Sequence, residues 1–450
     1  MNGRAFAIAS ILILLPAALP GQAAADDVPS WFAGHEPAWI TWQDASDKLP
    51  EDAEARLDYA TTDGRLRVMV ALDERASWAE AFVDELAPRA GWYHDTFDSA
   101  NFWAEVGPRQ LSMLLAHADV RFVDPDYPLT YFLAEATTDV DARSQTGTGT
   151  GVWYFDTSTS TFKSDISGVS TAYTGDGIRV AVIDSGIDST HKDFGSIGCS
   201  HGIYEPCNSR IVYRATIEPF VGSTLGSPLQ NLPTSDLASG HGTHVAGIIA
   251  GNGYYSWAEG ATHPSYGGDG LTFGIAPEAD LISIKSGDSI SAAFAADALS
   301  HASAYRNAYN IQVVSNSWGC NGGCPFSPTS TISNLVRGLY NAGVVLTFAA
   351  GNDGGSGGGS EFSGYAQSPY VIGVAAYEDA NDRLASFSSR GSSGTSNSLP
   401  TATTWTPATD GINAANARRP DIAAPGVNIQ SARDLTAGTR VWTGDADAGG

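Results

Sequence analysis

Apolar positions along the chain follow two patterns. Residues 178–183 (IRVAVI) form a short β-branched run bounded by Gly177 and Gly186, which reads as a strand buried in a sheet. The runs 279–285 (ADLISIK), 311–316 (IQVVSN), 344–350 (VVLTFAA) and 370–375 (YVIGVA) read the same way. Helical stretches lie between them, an Ala-rich one over 289–309 and another over 331–342. Strands alternating with helices of this length imply βαβ crossovers. The expected class is α/β, a doubly wound, mainly parallel sheet with helices on both faces.

An earlier set of elements has a different rhythm. Residues 65–72 (RLRVMVAL), 78–88, 100–106, 108–118 and 120–129 alternate strand, helix, strand, helix, strand within a short span, which predicts a small α+β module of the split βαβ kind. Residues 26–50, with Trp31, Trp39 and Trp42, carry no periodicity. Residues 136–151 (ATTDVDARSQTGTGTG) are polar and aperiodic and read as a linker. The division expected is a module over 26–135, a linker over 136–151 and the α/β domain over 152–450, with Gly/Ser-rich surface loops at 356–363 and 392–417.

Composition adds the compartment. Residues 1–25 carry Arg4, an apolar region over 5–15 and an Ala23-Ala24-Ala25 end before Asp26, the pattern of a secretory signal. Pro16 and Pro20 argue against a membrane anchor, and no run within 26–450 approaches spanning length. A secreted, extracellular or periplasmic monomer is expected. The net charge of −25 opposes nucleic acid and anionic membranes as partners.

Chemistry gathers at the ends of the apolar runs. Asp184 closes the 178–183 strand, at the sheet edge where open α/β folds collect ligands; alone it reads as a turn-opening carboxylate. His241 immediately precedes an Ala/Ile/Val helical run, and Asn352 follows the 344–350 strand. An acid, a histidine and an amide donor are three of the four parts of a serine hydrolase: orienter, general base and oxyanion donor.

The segments VAVIDSGID (180–188), GHGTHVAG (240–247), NSWG (316–319), AAGN (349–352), FSSRG (387–391) and RPDIAAPGVNI (419–429) resemble the subtilase family of secreted serine proteases, in the family's order. The resemblance covers about residues 175–429. It implies Asp184 as triad acid, His241 as base and Asn352 as oxyanion donor. It implies Ser317-Trp318-Gly319 and Ala349-Ala350-Gly351 as walls of the substrate cleft, with Trp318 either shaping a pocket or filling core. Protein or peptide is the implied substrate, hydrolysed by a serine endopeptidase. The 26–135 module would be a propeptide, folding chaperone and intramolecular inhibitor, released by cleavage in or near the linker.

The family's serine follows DIAAPG in a Gly-Thr-Ser motif, and residues 427–450 contain none. The Gly-Thr-Ser ending at Ser396 precedes DIAAPG and sits in a Gly/Ser/Thr-rich stretch, where it reads as a loop. The expectation is a precursor whose serine lies beyond Gly450 and which is inactive as it stands. The alternative is a natural pseudoprotease or peptide-binding fragment.

Four cysteines in an exported chain favour disulfides, and local pairing of Cys199 with Cys207 and Cys320 with Cys324 is preferred over zinc. His244 lies one helical turn from His241, but Gly242-Thr243 supplies no H-E-x-x-H glutamate, so His244 reads as packed structure. The chemistry requires no cofactor. Structural calcium is compatible with the resemblance, which sets Asp193 at a position that contributes to a calcium site in many relatives; no ligand set is assigned.

Overall fold

The computed structural model describes residues 48–49, 65–72, 74–93, 101–126, 130–131, 151–156, 158–159, 161–195, 209–217, 229–230, 236, 240–253, 273–286, 290–320, 326–354, 362–378, 383–390, 419–427, 429–432 and 441–444. The signal-like segment, Trp31, Trp39 and Trp42, residues 136–150 of the linker, Cys199, Cys207, Cys324 and Ser396 lie outside the described residues.

The N-terminal module contains β1 (Leu66–Leu72), α1 (Ser77–Leu86), β2 (Ala90–Trp92), β3 (Asn101–Val106), α2 (Pro108–Ala116) and β4 (Val120–Pro125). Its sheet is antiparallel in the order β2-β3-β1-β4. Strand β1 lacks polar alternation because both its faces are covered. Val68, Val70 and Leu72 pack with Phe82, Leu111 and Leu114, whereas Met69 joins Tyr93 and Trp103 in the core of the larger domain. The short β2 exists by pairing with β3, and Gly91 suits it because a Cβ there would stand 2.8 Å from the Trp103 indole nitrogen.

After β4 the chain reaches the larger domain twice. Asp126 Oδ1 accepts a hydrogen bond from Ala293 N–H at 2.9 Å, and burial pushes its carboxyl above the usual range. Strand β5 (Thr130–Tyr131) makes the second contact, pairing with residues 318–319. A hairpin, β6 (Trp153–Asp156) with β7 (Thr161–Ser164), then packs Trp153 among Phe162 and Phe273.

The larger domain follows with β8 (Arg179–Asp184), β9 (Ile211–Thr216), β10 (Leu229–Gln230), α3 (His241–Ala250), β11 (Asp280–Lys285), α4 (Ala292–Tyr305) and β12 (Val313–Asn316). It continues with β13 (Trp318–Gly319), α5 (Thr331–Asn341), β14 (Val345–Ala349), β15 (Ile372–Glu378), β16 (Arg383–Leu384), β17 (Ile422–Pro425), β18 (Ile429–Ala432) and β19 (Val441–Gly444). The sheet order is β10-β9-β11-β8-β12-β14-β15-β16, with β17 also on β15. All pairs from β9 to β15, and β15 with β17, are parallel; β10 and β16 pair antiparallel at the edges.

Alternate residues of β8 face two layers, as a doubly wound sheet requires. Ala181 and Ile183 pack with Leu299 of α4 and Leu335 of α5, while Val180 and Val182 pack with Val245 and Ala246 of α3. The long helix expected over 289–309 is shorter, because Ser291 caps it at its start and the chain leaves helix after Tyr305, passing Asn310 at φ 51°.

Candidate active site

Asp184 is the last residue of β8, the middle strand flanked by β11 and β12. Asn316 pairs with Ile183 on one side and Phe348 on the other, so Asp184, Ser317 and Ala349 come next on three adjacent strands at one level of the carboxyl edge. The parallel register thus brings residues far apart in sequence to one rim, where side chains and free backbone groups project.

His241 opens α3, and its Nδ1 lies 2.6 Å from Asp184 Oδ1. Both residues are buried. Asp184 Oδ1 also accepts from Ser185 N–H at 2.8 Å, while its Oδ2 has no hydrogen-bond partner among the described residues. A carboxylate on Nδ1 fixes that nitrogen as the donor, which directs the lone pair of the neutral ring to Nε2. The pair is an oriented base.

The close approach of α3 to β8 depends on Gly242. A Cβ there would stand 2.0 Å from Gly186 O and 3.0 Å from Asp184 Oδ1. At the other end of α3, Gly247 leaves room for β18, where a Cβ would meet Ser431 Oγ at 2.3 Å. Between them His244 is buried, its Nε2 3.3 Å from Ile429 O, and Ser431 Oγ donates to the His244 carbonyl at 2.7 Å. His244 therefore anchors the helix to the β18–β19 hairpin.

Asn352 follows β14 on a loop pinned from below. Gly351 stands at φ 116°, its carbonyl accepting from Ser389 N–H at 2.8 Å, and Asp353 N–H donates to Ser389 Oγ at 3.0 Å. The loop is held by the FSSRG segment, and Asn352 is half-buried at its turn. Ala350 directs its backbone inward, its N–H to Val374 O at 2.8 Å and its carbonyl to Ser363 N–H at 2.9 Å.

The Trp318 indole is fully buried against Phe348 and Tyr365, with ring centroids 4.9 Å and 5.6 Å away. It fills core. Strand β13 pairs antiparallel with β5, Trp318 opposite Tyr131 and Gly319 opposite Thr130. Residues 130–131, at the end of the N-terminal module, thus lie as an added strand on Trp318–Gly319.

Asp236 was missed by sequence reasoning. It sits in an irregular polar stretch, and only the folded chain shows its carboxylate buried beneath the first turn of α3. An acidic residue shortly before a helix that opens on Gly rather than on a capping side chain was the available signal.

Asp193 is buried beside His191, with 3.9 Å between its Oδ2 and the ring Nδ1. The carbonyls around it already serve a cation: Arg210 donates to Asp193 O at 2.9 Å, to Ala279 O at 2.8 Å and, at shorter range still, to Ala250 O. Among the described residues no group of three or more His, Cys, Asp or Glu could hold a metal ion. No calcium ligand set is assigned at Asp193. Among them also no helix is long and apolar enough to cross a membrane.

Residues 175–446 match the subtilase family. The chain belongs to this family. It is 32% identical over 273 residues to a subtilisin of Bacillus sp. (strain TA39), covering 59% of this chain and 52% of that protein. It is 30% identical over 264 residues to subtilisin E of Bacillus subtilis (strain 168), covering 58% of this chain and 50% of that protein. A subtilisin of Bacillus pumilus is also 30% identical, over 58% of this chain and 69% of its own length. The chain spans about half the length of the first two relatives. Among solved structures, one titled "S41 Psychrophilic Protease" aligns with TM-score 0.41 at 26% identity, covering 63% of this subtilase and 76% of that chain.

Proposed function

We propose that this subtilase is the precursor of a secreted serine endopeptidase in which Asp184 orients His241 and His241 is the general base. The 2.6 Å contact between His241 Nδ1 and Asp184 Oδ1, buried at the carboxyl edge of the parallel sheet, carries the reading. His241 Nε2 takes the proton of a serine hydroxyl as that oxygen attacks the peptide carbonyl, and later gives it to the leaving amine. Asp184 stabilises the imidazolium formed between these steps. Asn352 donates to the developing oxyanion. The chemistry uses no metal.

The N-terminal module acts as propeptide and inhibitor. Two contacts support this: β5 lies on the substrate wall at Trp318–Gly319, and Asp126 receives Ala293 N–H of α4. Protein or peptide is the substrate, bound as β5 is bound. Export to an oxidising compartment permits the local pairing proposed for Cys320 with Cys324 and for Cys199 with Cys207; among the described residues no cysteine is a free thiol.

The test is casein hydrolysis by the product of the whole reading frame and by residues 1–450 alone. Hydrolysis by the longer product, lost to background in His241→Ala and absent from 1–450, is expected. No hydrolysis by the longer product, with tight binding of a peptide spanning residues 126–135, would instead favour a peptide-binding protein without catalysis. Hydrolysis by 1–450 would place the nucleophile inside it, with Ser396 the first candidate.

A further inference from the structure

The first turn of α3 lacks a cap of its own. Gly240 precedes it at φ 74° and contributes no side chain, yet the N–H groups of a first helical turn need acceptors. Asp236 supplies them from outside the helix. Its Oδ1 accepts from Gly240 N–H at 3.0 Å, and its Oδ2 accepts from Thr243 N–H at 2.9 Å and Thr243 Oγ1 at 2.6 Å. Ser185 Oγ accepts a third donor of this turn, Gly242 N–H, at 2.9 Å.

Ser185 joins Asp236 to the acid of the pair. Its hydroxyl lies 3.1 Å from Asp236 Oδ1 and 3.3 Å from Asp184 Oδ1, and it has one proton to give. Two buried carboxylates compete for that proton. We propose that Asp236 is a positioning residue of the acid–base pair, holding the start of α3 in place and, through the Ser185 hydroxyl, setting how much of the Asp184 charge is left for His241. The proposal rests on the protease reading for its consequence in catalysis, though not for its geometry.

The direction of the effect follows from the shared proton. While Asp236 is ionised it draws the Ser185 hydroxyl, and Asp184 keeps its charge for the imidazolium. When Asp236 is neutral the hydroxyl turns to Asp184, and the imidazolium loses support. Burial pushes the Asp236 carboxyl up to about 6, the Thr243 bonds work against that, and the Asp184 charge adds to it. The exchange therefore falls in a mildly acidic range. Among the described residues the other titratable groups around the pair are His244 on α3, Asp188 beyond β8, whose N–H meets Thr243 Oγ1 at 2.9 Å, and Lys285, opposite Asp184 on β11.

The experiment titrates the His241 ring by NMR in the 1–450 chain, as wild type, Asp236→Asn, Ser185→Ala and the double variant. It measures pH profiles of hydrolysis in the corresponding complete gene products. Asp236→Asn is expected to lower the His241 midpoint by about half a unit to one unit and kcat by about tenfold, leaving KM within about a factor of two. Its effect should shrink in the Ser185→Ala background, because the relay is then gone. An unchanged His241 midpoint with a lowered melting temperature would reduce Asp236 to a helix cap and overturn the proposal, as would strict additivity of the two substitutions. Should Asp236→Asn fail to fold, Ser185→Ala alone decides, since the wild-type inflection from Asp236 in the His241 titration must then weaken. Absence of hydrolysis from every complete product would sink the protease reading and leave the titration result standing by itself.

Discussion

Helices α3 and α5 start in opposite ways. At α5, Ser330 sits at the cap position and its Oγ accepts from Ser333 N–H at 3.2 Å, so the acceptor is local in sequence. At α3 the acceptors are Asp236 and Ser185, one upstream of the helix and one on the segment that leaves β8. A local cap fixes a helix to itself; imported acceptors fix it to another element. Helix α4 lies between the two cases, with its own Ser291 cap and an added acceptor, Asp126, from the N-terminal module. Of these three helices, α3 is the one that opens on His241, so there the position of the first turn relative to β8 sets the His241–Asp184 contact.

The contrast breaks most severely at Gly242. Ala in its place puts a Cβ against Gly186 O, a backbone atom that cannot move without dragging Asp184. The expected cost is about 3 kcal/mol or more of stability, with kcat of the complete product down by at least about a hundredfold, as thermal unfolding and hydrolysis would show. Near-normal values for both would mean that α3 slides freely on β8.

A smaller effect appears in the pH dependence of stability. Asp236 ionises at about 6 in the folded chain and at about 4 in an unfolded one, so between these values the folded state holds the extra proton. The sign follows: this group's contribution to stability is greatest at the acid end, falls as pH rises through that window, and is level above it. The two-unit difference corresponds to about 3 kcal/mol as an upper figure. Urea midpoints of wild type and Asp236→Asn should therefore differ by changing amounts between pH 4 and pH 7, with the wild type gaining relative to the variant on acidification. A constant difference would remove the burial cost.

The smallest effect is at α5. Ser330→Ala should cost about 1 kcal/mol and leave the His241 titration unmoved, because nothing at that cap reaches β8. A shifted His241 midpoint in this variant would erase the distinction between local and imported acceptors.

Much of this arrangement was legible before folding, for identifiable reasons. Strands β8 and β11 are buried on both faces, and β12 and β14 keep one buried face; all four show as apolar runs, and the ends of those runs located Asp184 and Asn352. His241 was marked by glycines whose need for space the fold explains at Gly242 and Gly247. Other parts were hidden. Strand β9 (IVYRAT) mixes exposed Val212 and polar Arg214 with buried Tyr213, and β2 (AGW) exists only through its partner. The two readings of Trp318 could not be separated until Phe348 and Tyr365 were seen around the indole. Asp236 gave no periodic signal, since its donors come from Gly240, Thr243 and Ser185, which converge only in three dimensions.

The two-residue ladder between β5 and β13 has a consequence for dosage. While residues 131 and 152 belong to one continuous chain, the strand that covers Trp318–Gly319 is presented at a local concentration set by the chain that joins them, however dilute the protein. One cut in the intervening chain turns the same contact into an encounter between two molecules. Its occupancy then depends on how many copies share the surrounding volume, and dilution alone uncovers the wall.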